Sequence, residues 1–113
     1  MSSSERPVYL QLRDRIADAI LEGRYGDGDM LPSVRAFAAE QGANPLTVAK
    51  AYQLFQEEGL VVVRRGVGMF VAEGATERLL ESERRAFIDQ QWPRIRGVIE
   101  RLRIDPAELF ARA

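Results

Sequence analysis

Apolar residues return every three or four positions near the start of this chain, as Tyr9, Leu12, Ile16, Ala19 and Ile20. Arg13, Asp14, Asp18 and Glu22 take the other faces. That period predicts an amphipathic helix over residues 8–22, closed by Gly23, a residue able to take the left-handed conformation that ends helices. Gly26-Asp27-Gly28-Asp29 reads as a loop; it lacks the alternating ligands and terminal Glu of a calcium loop. A shorter pattern, Val34, Phe37 and Ala38, follows Ser33, whose hydroxyl can accept a bond from the open N–H groups of a helix start. It predicts a helix over 34–41. Gly42 supplies a turn, and Asn44-Pro45 opens a third helix, because Asn caps and proline at the first helical position loses no hydrogen bond. Val48, Ala51, Tyr52 and Phe55 form its buried stripe to about Glu58. Tyr52 and Phe55 read as core rather than as surfaces for stacking bases.

The pattern then shortens to β-prone runs, Val61-Val62-Val63 and Met69-Phe70-Val71, around Arg65-Gly66-Val67-Gly68, a hairpin by composition. Two helices joined by a tight turn and followed by a ribbon make a winged helix-turn-helix. That shape is matched to the major groove of DNA, with the wing reaching the backbone or minor groove.

After Gly74 the helical period resumes. From Thr76 to about Arg103 the apolar positions are Leu80, Phe87, Ile88, Trp92, Ile95, Ile99 and Leu102, and the last five step by 4, 3, 4 and 3, the spacing of a helix–helix seam. A helix of that length reaches ~42 Å at 1.5 Å per residue. Pro93 removes its own N–H and crowds the carbonyl of Asp89, which predicts a kink or break there. Asp105-Pro106-Ala107-Glu108 opens one last short helix carrying Leu109 and Phe110. A tail this short has no room for a private core. It must pack on the N-terminal domain, on another copy, or on both, and homodimerisation is the economical solution. Leu80, Phe87, Trp92, Ile95, Ile99 and Leu102 are then the interface, with Trp92 either its anchor, the favoured reading, or a packing residue against the N-terminal helix. The expected organisation is a winged helix-turn-helix domain over 1–74 and a helical dimerisation region over 75–113, a mainly α chain with a small β-hairpin.

Composition narrows the chemistry. The chain has 113 residues and neither Cys nor His. The commonest general base, the best nucleophile and the soft-metal ligands are absent, and the carboxylates show no recognisable catalytic pairing. The expectation is a non-enzyme with no catalytic residue, metal or cofactor. No apolar run approaches the ~18–20 residues of a membrane span, and Met1-Ser2-Ser3-Ser4-Glu5-Arg6 lacks the apolar core of a signal peptide. A cytoplasmic protein is expected. Formal net charge is −1, with eight Lys/Arg against ten Asp/Glu in residues 1–75. Bulk charge cannot carry DNA binding, so it must rest on local placement. The basic groups between Met30 and Val71 are Arg35, Lys50, Arg64 and Arg65, on the first helix of the motif, the second helix and the wing.

Each has an ordinary reading beside the DNA-facing one. Arg35 sits near a helix start, where the helix dipole disfavours a cation, so an outside anion explains it better than a surface ion pair. Thr47 can serve as a local cap as well as a base reader. Lys50 alone would be a solvated lysine, and Arg64-Arg65 could be edge charge that discourages strand pairing. Gly66 and Gly68 are turn glycines first.

Pro7-Val8-Tyr9-Leu10-Gln11-Leu12, Leu31-Pro32-Ser33-Val34-Arg35, Asn44-Pro45-Leu46-Thr47-Val48 with Ala51-Tyr52, and Gly66-Val67-Gly68-Met69-Phe70-Val71 together resemble the GntR family of bacterial transcription regulators, over about residues 7–72. The short two-helix tail is similar to that of the YtrA subfamily, in which this part serves dimerisation. The resemblance implies a homodimeric regulator, in the main reading a repressor, on a double-stranded DNA operator. Arg35 matches the family's DNA-contacting arginine, Thr47 and Lys50 fall on the exposed side of the recognition helix, and Gly66 matches the wing-tip glycine. Asn44, Arg64 and Arg65 complete the DNA-facing set. The sequence departs from the commoner pattern at Asn44-Pro45, where many members have Ser-Arg, and at Met69, where Ser or Thr is frequent. Two other readings stand beside this one: a winged helix that docks a protein, and a sensor holding a small, unidentified effector at the dimer seam.

Overall fold

The structure is a computed structural model, and it describes residues 6–112. The serine-rich beginning lies outside the described residues. The chain divides into two compact units, the first reaching to Leu80 and the second beginning at Glu81.

The first unit holds α1 (Val8–Leu21), α2 (Val34–Gln41), α3 (Pro45–Glu57), β1 (Val61–Arg64), β2 (Gly68–Val71) and the start of α4 (Ala75–Ala86). Local chemistry sets most of these limits. Gly23 ends α1 with φ 92°, and Gly42 ends α2 with φ 64°, both in the left-handed region that glycine enters without steric cost. The Ser33 hydroxyl accepts from the Ala36 N–H at 3.0 Å, and Asn44 Oδ1 accepts from the Leu46 N–H at 2.8 Å. α1 and α2 both pack on α3. The core gathers Leu12, Ile16 and Ile20 from α1, Phe37 from α2, and Val48, Ala51, Tyr52 and Phe55 from α3. Leu60, Val61, Val71 and Leu79 close it. Tyr52 and Phe55 are therefore core, and the Tyr52 hydroxyl donates to the Pro32 carbonyl at 2.7 Å, tying α3 to the segment before α2. Burial, with Tyr25 and Glu40 nearby, pushes that phenol well above its ordinary pKa, so it stays a donor.

β1 and β2 pair antiparallel from Val61↔Val71 to Arg64↔Gly68. The connecting turn is closed by the Val67 N–H on the Arg64 carbonyl at 2.9 Å, with Gly66 at φ 78°.

The segment expected to be a plain loop does more than connect. Its end runs beside β2: the Gly28 N–H donates to Val71 O, the Val71 N–H to Asp29 O and the Leu31 N–H to Met69 O, each at 2.8 Å. Met30 bridges Phe70. Nothing in Gly26-Asp27-Gly28-Asp29-Met30 alternates, so the pairing comes from the neighbour's exposed edge rather than from local propensity. Asp27 caps a distant helix. Its carboxylate accepts from the Gly74 N–H at 2.7 Å, the Thr76 N–H at 3.1 Å and the Thr76 hydroxyl at 2.7 Å. These donors, the Thr76 hydroxyl foremost, hold the carboxyl below the usual carboxylate range. Arg78, one turn into α4, donates to the Gly59 carbonyl at 2.8 Å and reaches Glu58 O at 3.5 Å, placing a cation on the C-terminal end of α3.

The second unit holds the rest of α4, a π-helical turn (Phe87–Gln91), α5 (Trp92–Leu102) and α6 (Pro106–Ala111). The kink or break expected at Pro93 takes the form of that π turn. The Trp92 N–H donates to the Phe87 carbonyl five residues back, and the helix then continues with Pro93 in its first turn. The wider turn absorbs the missing donor and the crowded carbonyl of an interior proline. Arg103 closes α5 in the left-handed conformation at φ 56°, and Asp105 caps α6 through the Ala107 N–H at 3.1 Å. From Glu81 onward no described residue is buried.

Candidate nucleic-acid interface

α3 turns Val48, Ala51, Tyr52 and Phe55 inward, so the opposite stripe faces solvent as Leu46, Lys50 and Gln53 at helical steps of four and three. Its entry is rigid because Asn44 caps it, and its exit is held by Arg78. Thr47 is half-buried and lines a shallow cleft with Asn44, Val8, Gln11 and Arg15. Lys50 is engaged: its ammonium lies 4.2 Å from the centroid of the Tyr9 ring on α1. An exposed cation–π contact of this kind is worth ~0.5–1 kcal/mol, less than the ~1.5–3 kcal/mol of a hydrogen bond to a charged group, so a phosphate can draw the lysine away.

Arg35 is exposed in the first turn of α2 and makes no ion pair or hydrogen bond among the described residues, and the same holds for Arg65 at the wing tip. Arg64 stacks its guanidinium 4.6 Å over the Phe70 ring, which stiffens the ribbon without neutralising the charge. A cleft of about 530 Å³ joins the wing to the rest of the domain. Ser33 and Val34 at the start of α2, Tyr52 of α3, and Arg64, Arg65 and Gly66 all line it. The predicted residues thus fall in two groups. Arg64, Arg65 and Gly66 meet the α2 entrance, next to Arg35, while Asn44 and Thr47 lie toward α1 with Lys50 on Tyr9. Gly68 is fixed by packing, since the Met30 sulphur lies 2.8 Å from where a Cβ would stand. Among the described residues no three His, Cys, Asp or Glu side chains gather as metal ligands.

Sequence reasoning missed Tyr9, Leu46, Gln53 and Arg78. The period of α3 alone could have placed Leu46 and Gln53 on the solvent stripe. Tyr9 and Arg78 act across the fold and left no local signal.

Three helices, a glycine turn between α2 and α3, and a cation-bearing ribbon define a winged helix-turn-helix protein. The family described as bacterial regulatory proteins, gntR family, matches residues 8–71, and the chain belongs to it. It is 39% identical over 80 residues, 71% of this chain, to the HTH-type transcriptional repressor YtrA of Bacillus subtilis. That match spans 62% of YtrA, under two thirds of the relative's length. Among solved structures it is similar to a GntR family transcriptional regulator from Listeria monocytogenes, at TM-score 0.71 and 26% identity over 97% of this chain and 95% of that one. The DNA-binding domain of AraR in complex with operator ORX1 aligns at TM-score 0.58 and 26% identity, over 64% of this chain and 87% of that one.

Proposed function

We propose that this chain is a sequence-specific DNA-binding transcription regulator, a repressor, that acts as a homodimer on an inverted-repeat operator in the cytoplasm. The observation that carries the reading is the pair of exposed arginines, Arg35 at the α2 entrance and Arg65 at the wing tip, that make no ion pair or hydrogen bond among the described residues and accompany a solvent-facing α3. Neither arginine is neutralised by an ion pair among the described residues, and these are the places where a winged helix-turn-helix meets phosphates. The AraR domain that binds operator DNA has the same fold, and the similarity to YtrA supports repression. No helix among the described residues is long and apolar enough to cross a membrane.

Dimerisation is proposed for residues 75–113. Phe87 is 43% exposed, Trp92 and Ile95 40% and Leu102 65%, in a unit that buries nothing by itself. Two copies sharing this stripe form an isologous seam and present two recognition helices related by a two-fold axis. Selection of bound sequences from a random duplex pool tests the reading. The expected product is an inverted repeat with half-sites ~10 bp apart or a multiple of it. Recovery of no common sequence, or of a single asymmetric half-site, contradicts it.

A further inference from the structure

The first turn of α3 presents one large side chain with no partner, and it is not polar. Leu46 is 81% exposed, more than any other large apolar side chain among the described residues of the first unit. Of its polar neighbours on that helix, Asn44 accepts the Leu46 N–H on its side-chain oxygen at 2.8 Å, and the Lys50 ammonium rests against the Tyr9 ring. Thr47 is half-buried. Leu46 therefore leads the stripe that continues through Lys50 and Gln53, at the end of α3 that enters the groove first in a helix-turn-helix.

We infer that Leu46 is a specificity-determining residue that reads the 5-methyl group of a thymine in each half-site. The major groove offers one apolar feature, that methyl, which separates T·A from C·G without a hydrogen bond. A leucine held out by a capped, rigid helix start can contact it and gains nothing from a phosphate. Cytosine at the same place offers an amine that the side chain would desolvate without pairing. The position selects for thymine by attraction and against cytosine by an unmet donor.

This inference rests on the DNA-binding reading, and its test separates the two. The probe is the selected inverted-repeat duplex, with each thymine replaced in turn, symmetrically, by deoxyuridine, which deletes only the methyl. Fluorescence anisotropy is run on the full-length wild type and on Leu46→Ala, with a thermal melt of each. One deoxyuridine position is expected to weaken the wild type about fourfold per half-site, the ~0.8 kcal/mol of one buried methyl at 1.4 kcal/mol per tenfold. Leu46→Ala should bind the thymine and deoxyuridine duplexes equally, and Leu46→Met should retain the discrimination. A general effect of deoxyuridine on duplex shape would appear in wild type and variant alike and would overturn the assignment, as would a wild type indifferent at every position. In both cases preference for the operator over unrelated DNA would leave DNA binding standing. Loss of that preference in the wild type overturns both readings.

Discussion

Arg35, Lys50, Arg64 and Arg65 carry equal formal charges in unequal settings, and those settings predict different behaviour. Arg65 makes no ion pair or hydrogen bond among the described residues, so Arg65→Ala should remove phosphate contacts and little else. Each lost contact lowers the salt slope by ~0.9, hence by roughly two in a symmetric dimer. Operator and unrelated duplex should weaken nearly alike, with a melting temperature within the ~0.5 kcal/mol typical of surface changes. Anisotropy over a salt series measures this, and an unchanged slope would count against a phosphate role. Lys50 leans on Tyr9, so Tyr9→Leu should leave the lysine without its resting place while keeping an apolar residue on α1. Operator binding should change little in Tyr9→Leu and fall in Lys50→Ala, since the cation–π contact is the weaker of the competing interactions. Equal losses in the two variants would mean that the ring positions the lysine for DNA.

At the level of elements, the winged domain is held by caps that come from far along the chain. Asp27 caps α4, and Arg78 covers the end of α3. Asp27→Ala should lower the melting temperature at neutral pH by opening the start of α4. The dependence on pH has a fixed sign. The folded carboxyl titrates below its ordinary value, so its contribution is complete above pH ~4 and fades as pH falls through the lower folded value. Wild type and variant should therefore melt further apart at pH 7 than at pH 3. A constant gap would show that the carboxylate form is not what matters. The π turn has a comparable element-level logic. The Trp92 N–H reaches the Phe87 carbonyl five residues back, so these two residues sit one widened turn from each other.

For the molecule as a whole, the decisive quantity is the association state. Fully burying a side chain such as Ile contributes ~1.5–3 kcal/mol, and the second unit exposes several of that kind with no core of its own. Ile95→Glu should convert the proposed dimer to a monomer, or melt the tail, while the first unit keeps its near-native circular dichroism. Sedimentation equilibrium at micromolar concentration checks it, and a wild type that is a clean monomer sinks the proposed seam. Near-neutral total charge has a consequence at the same scale. Weak steering leaves non-specific binding low, so discrimination between operator and bulk DNA should hold over a broad range of salt.

Features legible in the linear chain are those whose physics is local. Ser33 and Asn44 as caps, Gly23 and Gly42 as left-handed terminators, the buried stripe ending in Tyr52 and Phe55, and the glycine turn of the ribbon each involve residues a few positions apart. Backbone sterics and hydrogen-bond need decide them before any packing occurs. Tertiary structure alone decided the rest. The Asp27–Thr76 cap, the Arg78 clamp on α3, the Met30–Phe70 bridge and the Lys50–Tyr9 contact join residues separated by 49, 19, 40 and 41 positions respectively. No periodicity reports such pairs, because they form only once the core has brought distant backbone together. Pro93 lies between the two cases. The chain announced that the helix could not pass unchanged, and only the three-dimensional path showed that one widened turn was enough.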